Sequence, residues 1–272
     1  MEASHEQEAQ LDEQMAPRPE RKSETVAGGE DRLRGEQSHR RNRFLLIGGV
    51  FFWLLAVAGM VALSFVVHAH RQPFPFELSI SREIQASITT PWMGAIFRFL
   101  TWTTDPFPDL VTVTGVLIGF AVFRWWRQGI FLALSVMVGN GIDALIGDWV
   151  QRLRPAPNLI HVDSKLMFNS FPSGHSCHMM VFYGFLLFLT LTQSVRTWRY
   201  HWLVFPLQFW ALLNICMVGF ARLWEGEHWL LDVLGGYLDG AIWMSLFIFI
   251  YLIVTNKIRK RRRRNILAAQ QI

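Results

Sequence analysis

The sequence predicts an all-α membrane protein, a polytopic helical bundle of six transmembrane helices with one further amphipathic helix at the extracytoplasmic interface. Two observations predict this fold class. Hydrophobic residues make up 51% of the 272 residues and charged residues only 17%, whereas about a quarter of the residues of a soluble domain are charged. The apolar residues also gather in six runs, most of them near the length of about 20 residues that a helix needs to cross a bilayer.

The six predicted spans occupy most of the chain after residue 43. They are residues 44–68, 108–123, 129–150, 174–193, 202–220 and 229–254. Between the first two, residues 70–105 place isoleucines at helical spacing among polar side chains, which predicts an amphipathic helix on the membrane surface. Residues 1–43 are polar with almost no apolar periodicity and predict a disordered tail. Residues 257–272 predict a second tail, which is strongly basic.

The distribution of lysine and arginine predicts the orientation. These residues cluster before the first span, between the second and third, between the fourth and fifth, and after the sixth. In a six-span chain these segments share one side, and the excess of positive charge marks it as cytoplasmic, with both termini there. We therefore expect an integral protein of a bacterial plasma (inner) membrane. The run Lys257–Arg264 is expected to contact anionic lipid headgroups and not nucleic acid, since no basic recognition face is present.

Three short segments carry residues suited to phosphoryl transfer. An Arg-Pro pair begins at Arg154, the sequence Pro-Ser-Gly-His occupies residues 172–175, and Arg222 is followed after five residues by His228 and after three more by Asp232. The predicted topology brings all three segments to the membrane face opposite the cytoplasm. The sequence therefore predicts an extracytoplasmic site.

The residue types in these segments match the needs of phosphate ester hydrolysis, which are N–H donors and cations around the phosphate, an in-line nucleophile and an acid. Gly174 opens a predicted helix whose free N–H groups favour phosphate, and it lacks a Cβ that would block close approach. Ser173 adds a hydroxyl donor. His228 can attack phosphorus, with Asp232 one helical turn away to accept from one ring nitrogen, and His175 can protonate the leaving group.

These segments resemble the motifs of the type 2 phosphatidic acid phosphatase (PAP2) superfamily, a family of membrane lipid phosphatases. The family pattern is Lys, six residues, Arg-Pro; then Pro-Ser-Gly-His; then Ser-Arg, five residues, His, three residues, Asp. Here the second motif is complete, the third has Ala221 in place of its Ser, and the first has Gly147 in place of its Lys. The hydrophobic pattern extends the resemblance over residues 44–256, which predicts a PAP2-like domain there.

The resemblance implies a phosphatase that hydrolyses a lipid phosphate or pyrophosphate through a phosphohistidine, with no metal and no cofactor. Phosphatidic acid, diacylglycerol pyrophosphate, phosphatidylglycerol phosphate and polyprenyl pyrophosphate are the candidate substrates. It implies that His228 is the nucleophile, Asp232 its orienting residue and His175 the general acid. Phosphate contacts are implied for the remaining motif residues, which are Arg154, Ser173, Gly174 and Arg222.

Three alternatives stay open at this point. One is a phosphotransferase that uses the same site with a lipid or sugar acceptor, and another is a non-catalytic lipid-binding scaffold, which the two departures from the motifs make conceivable. The third is a metal site in which His175 and His178 join His228 and Asp232. The two motif arginines argue against it because they would repel a cation.

The missing motif lysine predicts a phosphate site that is one cation short. Gly147 lies seven residues before Arg154, about two helical turns, so the two positions are predicted to share a helix face. Arg152 or Lys165 can supply the missing charge. We also expect Asp148 to pair with Arg152, because carboxylates in or near a span are usually paired.

Overall fold

The structure is a computed structural model that describes residues 20–164 and 169–270, with side chains from residue 43 onward except at 193 and 194. These residues form helices and loops with no strand, which confirms the all-α class. In chain order the helices are α1 Glu20–Ala69, α2 Pro75–Ser87, α3 Pro91–Trp102, α4 Pro106–Val122, α5 Trp126–Val150, α6 Gly174–Thr190, the single turn α7 Gln193–Arg196, α8 Val204–Trp224 and α9 Leu230–Ala269, with a 3₁₀ turn at His201–Leu203.

Four helical segments of the described residues are long and apolar enough to cross a membrane. They are Arg43–Ala69, Trp126–Val150, His201–Trp224 and Leu230–Ala269. Helices α3 and α4 pass the same test only together, as a pair bent by 60°, and would make a fifth span. Helix α6 has 17 residues, slightly fewer than a typical span. The structure thus supports a membrane protein with four or five candidate spans, and the count of six stays a prediction.

Part of the predicted disordered tail is helical in the structure. Helix α1 begins at Glu20 and continues without a break past residue 43, because Glu, Gln and Arg favour helix and extend one already formed by the apolar span. Residues 1–19 lie outside the described residues. At the other end the basic run continues α9 as far as Ala269. Contacts divide the chain into two units, residues 1–52 and 53–272; the site described below lies in the second.

The segment predicted as one amphipathic helix forms two helices, α2 and α3, because Pro91 starts a new helix after a short break. The fully buried side chains of helix α2 are polar and not apolar. Its buried residues are Glu77 and Ser81, both 0% exposed, while Ile80 and Ile84 are only half-buried. A fully buried carboxylate needs a partner, so α2 must contact polar groups of the bundle.

Helix α6 is the central helix of the second unit. Eleven of its 17 residues are buried, and it packs against α5, α8 and α9. Glycines bring α9 very close to it: a Cβ at Gly236 would lie 2.3 Å from the Ser173 carbonyl oxygen, and one at Gly240 would lie 2.7 Å from that of Cys177. Small residues permit such close approach of membrane helices. This packing brings the N-terminal ends of α6 and α9 together, and with them the second and third sequence motifs.

Candidate active site

A cavity of about 390 Å³ lies where the three motif segments meet. Seven residues have an implied catalytic or phosphate-binding role, and four of them line this cavity, namely Arg154, Gly174, His175 and His228. The other three, Ser173, Arg222 and Asp232, do not line it. The structure therefore brings at least one residue from each motif to a common cavity, whereas the other three motif residues do not border it.

His228 is buried at the edge of this cavity, with 1% of its surface exposed. Its Nδ1 lies 2.8 Å from the Ser170 carbonyl oxygen, and its Nε2 lies 3.4 Å from Nη1 of Arg154. A carbonyl can only accept a hydrogen bond and a guanidinium can only donate one. Both neighbours therefore require the same tautomer, with the proton on Nδ1 and the lone pair on Nε2.

The charge state of His228 follows from its surroundings. Burial lowers the pKa of the imidazole below its usual value; the nearby Asp232 carboxylate opposes this lowering and the Arg154 guanidinium adds to it. The ring is therefore neutral near pH 7, and Nε2 keeps its lone pair.

Asp232 does not hold His228 in the way the sequence spacing suggested. Helix α9 begins at Leu230, so His228 precedes the helix and the two side chains do not share a helical face. The carboxylate oxygen Oδ2 lies 3.9 Å from Nδ1 of His228. It accepts hydrogen bonds from the Ser170 hydroxyl at 2.5 Å and from the Trp229 N–H at 2.8 Å. Asp232 thus lies near the ring and also binds Ser170, whose carbonyl contacts the ring; the sequence motifs did not single out Ser170.

A buried ion-pair network supports Asp232 from behind. Arg152 donates to Oδ1 of Asp232 at 2.6 Å and to Oε2 of Glu77 at 2.5 Å, and all three side chains are 0% exposed. Glu77 also accepts from the N–H groups of Phe74 and Leu231, at 2.9 and 3.0 Å. Helix α2 is thereby tied to the first turn of α9. No local pattern around Glu77 marks its contact with the bundle, because Arg152 and Leu231 lie 75 residues or more away in the chain.

Arg154 links the cavity to the third motif. Its Nη1 donates to the carbonyl oxygen of Glu227 at 2.8 Å besides facing His228. Helix α5 ends at Val150, and the left-handed backbone of Gln151, with φ of 52°, turns the chain away. Arg154 is therefore not on the same helix face as Gly147, as the spacing suggested, although both residues line the cavity.

Arg222 lies in a different environment from the one predicted. Its Nη1 forms an ion pair with Glu227 and lies 3.6 Å from a carboxylate oxygen of Glu225. It lines a neighbouring cavity of about 450 Å³ together with these two residues. Its Nε and Nη2 are buried with no hydrogen-bond partner among the described residues. Burial raises the pKa of Glu225 to about 7, although a hydrogen bond from Thr101 and the charge of Arg222 act in the opposite direction.

The N-terminal turn of α6 faces the cavity through Gly174 and His175. The first N–H groups of a helix have no intrahelical partner and favour an anion. Ser173 is buried at 0% exposure, its N–H donates to the Asp232 carbonyl oxygen at 2.9 Å, and its hydroxyl accepts from Ser176 at 3.1 Å. It therefore joins α6 to α9 at the base of the site.

The surroundings of Gly147 differ from those inferred from the motif. A Cβ there would lie 3.3 Å from the Phe171 carbonyl oxygen. Arg152 is engaged in the buried network and does not face the cavity, and Lys165 lies outside the described residues. Asp148 does not pair with Arg152; among the described residues it accepts a long hydrogen bond from Asn169, at 3.4 Å.

The four residues of the alternative metal site do not converge. His178 contacts Asn140 through Nδ1 at 2.8 Å and Asp109 through Nε2 at 3.0 Å. Among the described residues, a different group has the spacing of metal ligands. Its members are Asp143, Cys177 and Asp239, and one ligand atom of each lies within 4.8 Å of the others.

Comparison with known proteins gives consistent matches. The profile of the PAP2 superfamily matches residues 128–259, which include all three motif segments. Phosphatidylglycerophosphatase B of Bacillus subtilis (strain 168) is 25% identical over 159 residues, which are 57% of this chain and 73% of that protein. The bacitracin transport permease protein BcrC of Bacillus licheniformis is 29% identical over 123 residues, 44% of this chain and 53% of that protein.

Two solved structures have a similar fold. The transmembrane PAP2-type phosphatidylglycerolphosphate phosphatase from Bacillus subtilis superposes with a TM-score of 0.58 at 20% identity, over 73% of this chain and 94% of that chain. LpxE of Aquifex aeolicus gives a TM-score of 0.51 at 21% identity, over 64% of this chain and 96% of that one. At this level of identity the likeness concerns the fold alone.

Proposed function

We propose that this chain hydrolyses a lipid phosphate or pyrophosphate through a phosphohistidine on His228, without a metal. The premise is that the chain belongs to the PAP2 superfamily, a family of membrane lipid phosphatases. The observation that carries the proposal is the tautomer of His228. Its Nδ1 donates to the Ser170 carbonyl oxygen at 2.8 Å and its Nε2 faces Arg154 at 3.4 Å. A neutral imidazole with the lone pair directed to a cationic cavity wall is suited to attack an anionic phosphorus centre.

The proposed reaction has two steps. In the first, Nε2 of His228 forms a bond to phosphorus while the bond from phosphorus to the leaving oxygen breaks, and His175 gives its proton to that oxygen. In the second, His175 takes a proton from water, the hydroxide displaces His228, and phosphate leaves. The ring gains positive charge when the nitrogen–phosphorus bond forms. The Asp232 carboxylate, 3.9 Å from Nδ1, stabilises that charge.

The phosphate is proposed to lie between Arg154 and the N-terminal turn of α6. Arg154 and Gly174 both line the cavity, and free N–H groups at a helix start bind phosphate oxygens. Ser173 is assigned to this group as a motif residue at the N-cap of α6. Arg222 is proposed to add its Nε and Nη2 groups, which are buried with no hydrogen-bond partner among the described residues.

The lining of the cavity favours a monoester over a pyrophosphate among the candidate lipids. The carboxylates of Asp109 and Asp148 line the same cavity as Arg154. They would repel a second phosphate, whereas a leaving group with hydroxyls would find acceptors there. We therefore propose phosphatidylglycerol phosphate and phosphatidic acid ahead of diacylglycerol pyrophosphate and polyprenyl pyrophosphate.

The site is proposed to open on the extracytoplasmic face of a six-span protein of the bacterial inner membrane. Helix α6 and the bent pair α3–α4 would complete the six, with α2 at the interface and both termini cytoplasmic. Cysteines introduced at His161 and Tyr200, which are exposed, should label from opposite sides with an impermeant reagent in a Cys216→Ser background. Labelling of both from one side would contradict this topology.

The experiment for the activity is a phosphate-release assay on the four lipids in micelles with EDTA present. The wild type should release phosphate, His228→Ala should not, and His201→Ala, a matched change at an exposed histidine outside the cavity, should leave the rate unchanged. Transfer that depends on an added lipid or sugar acceptor would favour a phosphotransferase. No phosphate release from any of the four lipids would favour a non-catalytic lipid-binding scaffold.

The role of His175 has its own test. An activated ester such as p-nitrophenyl phosphate needs little protonation of its leaving group. The formation of the phosphoenzyme in His175→Ala should therefore be slowed far less with this ester than with an alkyl lipid phosphate. Equal losses on both substrates would remove the assignment of His175 as general acid.

A further inference from the structure

Three polar side chains from three helices meet inside the bundle, apart from the residues of the proposed reaction. They are Asp143 of α5, Cys177 of α6 and Asp239 of α9, and one ligand atom of each lies within 4.8 Å of the others. Their exposed fractions are 7%, 0% and 2%. The close packing of α6 on α9, in which a Cβ at Gly240 would lie 2.7 Å from the Cys177 carbonyl oxygen, sets two of the three in contact.

The cluster lies deep in the bundle. Asp143 is seven residues from the end of α5 at Val150, and Asp239 is nine residues from the start of α9 at Leu230. At 1.5 Å per residue these positions are roughly 10 and 14 Å below the helix ends. Carboxylates at such depth are costly and normally have a cationic partner.

No side-chain cation among the described residues pairs with these carboxylates. The ion pairs of the described part of the chain include neither Asp143 nor Asp239. Asp239 accepts from the Trp243 indole at 3.0 Å, but Oδ1 of Asp143, a buried residue, has no hydrogen-bond partner there. An unpartnered carboxylate oxygen on a buried residue of this cluster calls for a positive charge.

We infer that Asp143, Cys177 and Asp239 bind a divalent transition-metal ion of the zinc class. The Cys177 Sγ and the Asp239 Oδ2 are 3.5 Å apart. A tetrahedral ion about 2.3 Å from sulfur and about 2.0 Å from oxygen places those two ligands roughly 3.5 Å apart. A thiolate favours zinc-like ions over magnesium or calcium. On binding, the thiol proton is released to water, and a water molecule completes the four ligands.

The ion has a route to this site. Asp143 also lines the cavity that contains Arg154 and His175, so one ligand of the site is accessible from the polar side of the bundle. The bound ion would connect α5, α6 and α9 below the phosphate position. The bound ion takes no part in the phosphoryl transfer, so a protein without phosphatase activity could still bind the ion, and the two proposals are tested separately.

Cobalt(II) titration of the purified full-length protein tests this site directly. The protein is first stripped with EDTA and freed of the chelator in detergent. A sulfur-to-cobalt charge-transfer band should appear, saturate at one cobalt per chain and disappear when Zn²⁺ is added. The only other cysteine, Cys216, is exposed and serves as the matched control, so Cys216→Ser should keep the full band.

The ligand variants separate this site from other binding. Cys177→Ser should lose the band, and its cobalt affinity should fall by more than the roughly 10–100-fold that a change beside the ligands causes. Asp143→Asn should weaken cobalt binding while retaining a sulfur band. Absence of a band in the wild type at millimolar cobalt, or a band that survives Cys177→Ser, would overturn the inference. Gel filtration of each variant confirms that it is folded.

Discussion

Replacement of Arg152 by methionine should destabilise the protein strongly, because it leaves two buried carboxylates without their cation. Arg152 contacts Glu77 at 2.5 Å and Asp232 at 2.6 Å, and none of the three side chains is exposed. Removal of one partner from a buried pair costs about 3–5 kcal/mol. At about 2–4 °C per kcal/mol for a chain of this size, the midpoint of thermal unfolding should fall by roughly 6–20 °C.

The assay is thermal unfolding in detergent followed by tryptophan fluorescence. Arg98→Met is the matched control, since Arg98 forms an ion pair with Asp163 at 3.1 Å but is 60% exposed, and an exposed pair contributes about 1 kcal/mol or less. A second substitution, Glu77→Met, should recover part of the loss in Arg152→Met by removing an unpaired charge. Equal midpoints for Arg152→Met and Arg98→Met would refute the reasoning, and so would a further loss in the double variant.

Three more substitutions probe the packing, the phosphate site and the pH response. Gly236→Ala should lower the unfolding midpoint, because its Cβ would lie 2.3 Å from a carbonyl oxygen of α6. Gly147→Lys should have a Michaelis constant about tenfold or more below that of Gly147→Ala, since a charge-assisted hydrogen bond contributes about 1.5–3 kcal/mol. The pKa of Glu225 is raised from 4.5 to about 7, so its contribution to stability is present below pH 4.5 and is lost as the pH rises through 7. Glu225→Gln should therefore flatten the fall of the unfolding midpoint over this range.

Each of the three has a contrary outcome. Gly141 has open space around it and alanine favours helix over glycine, so Gly141→Ala should not destabilise, and an equal loss there and at Gly236 would show that close packing is not the cause. A Michaelis constant for Gly147→Lys equal to that of Gly147→Ala would mean that the site lacks no cation. A pH dependence of the unfolding midpoint that is the same in wild type and in Glu225→Gln would assign the titration to another group.

The sequence predicts the parts of this protein that depend on local pattern. Apolar runs predict the helices, and motif order predicts that His228, His175, Gly174 and Arg154 meet at one cavity. The residue types at these positions suggest phosphoryl transfer because cations, free N–H groups and imidazoles are suited to bind and cleave a phosphate ester. These four residues do line one cavity, because that outcome requires only that they share an end of the bundle; their roles stay a prediction.

The sequence does not predict how these residues are held. The spacing of His228 and Asp232 suggests a direct hydrogen bond, but the helix starts two residues after His228, and the Ser170 carbonyl takes that place. Glu77 lies in a segment whose pattern indicates a surface helix, yet its carboxylate is buried against Arg152. Both contacts join segments far apart in the chain, and no local periodicity encodes a tertiary partner.

The central claim is that Nε2 of His228 attacks phosphorus while Nδ1 stays bonded to Ser170. The most direct measurement is the site of phosphate attachment in His175→Ala after reaction with p-nitrophenyl phosphate and an alkaline denaturing quench. This ester needs little acid to leave, and loss of the base should slow hydrolysis of the intermediate so that it accumulates. Phosphorus NMR and mass spectrometry should find phosphate on Nε2 of residue 228. Phosphate on Nδ1, or on any other side chain, would contradict the account.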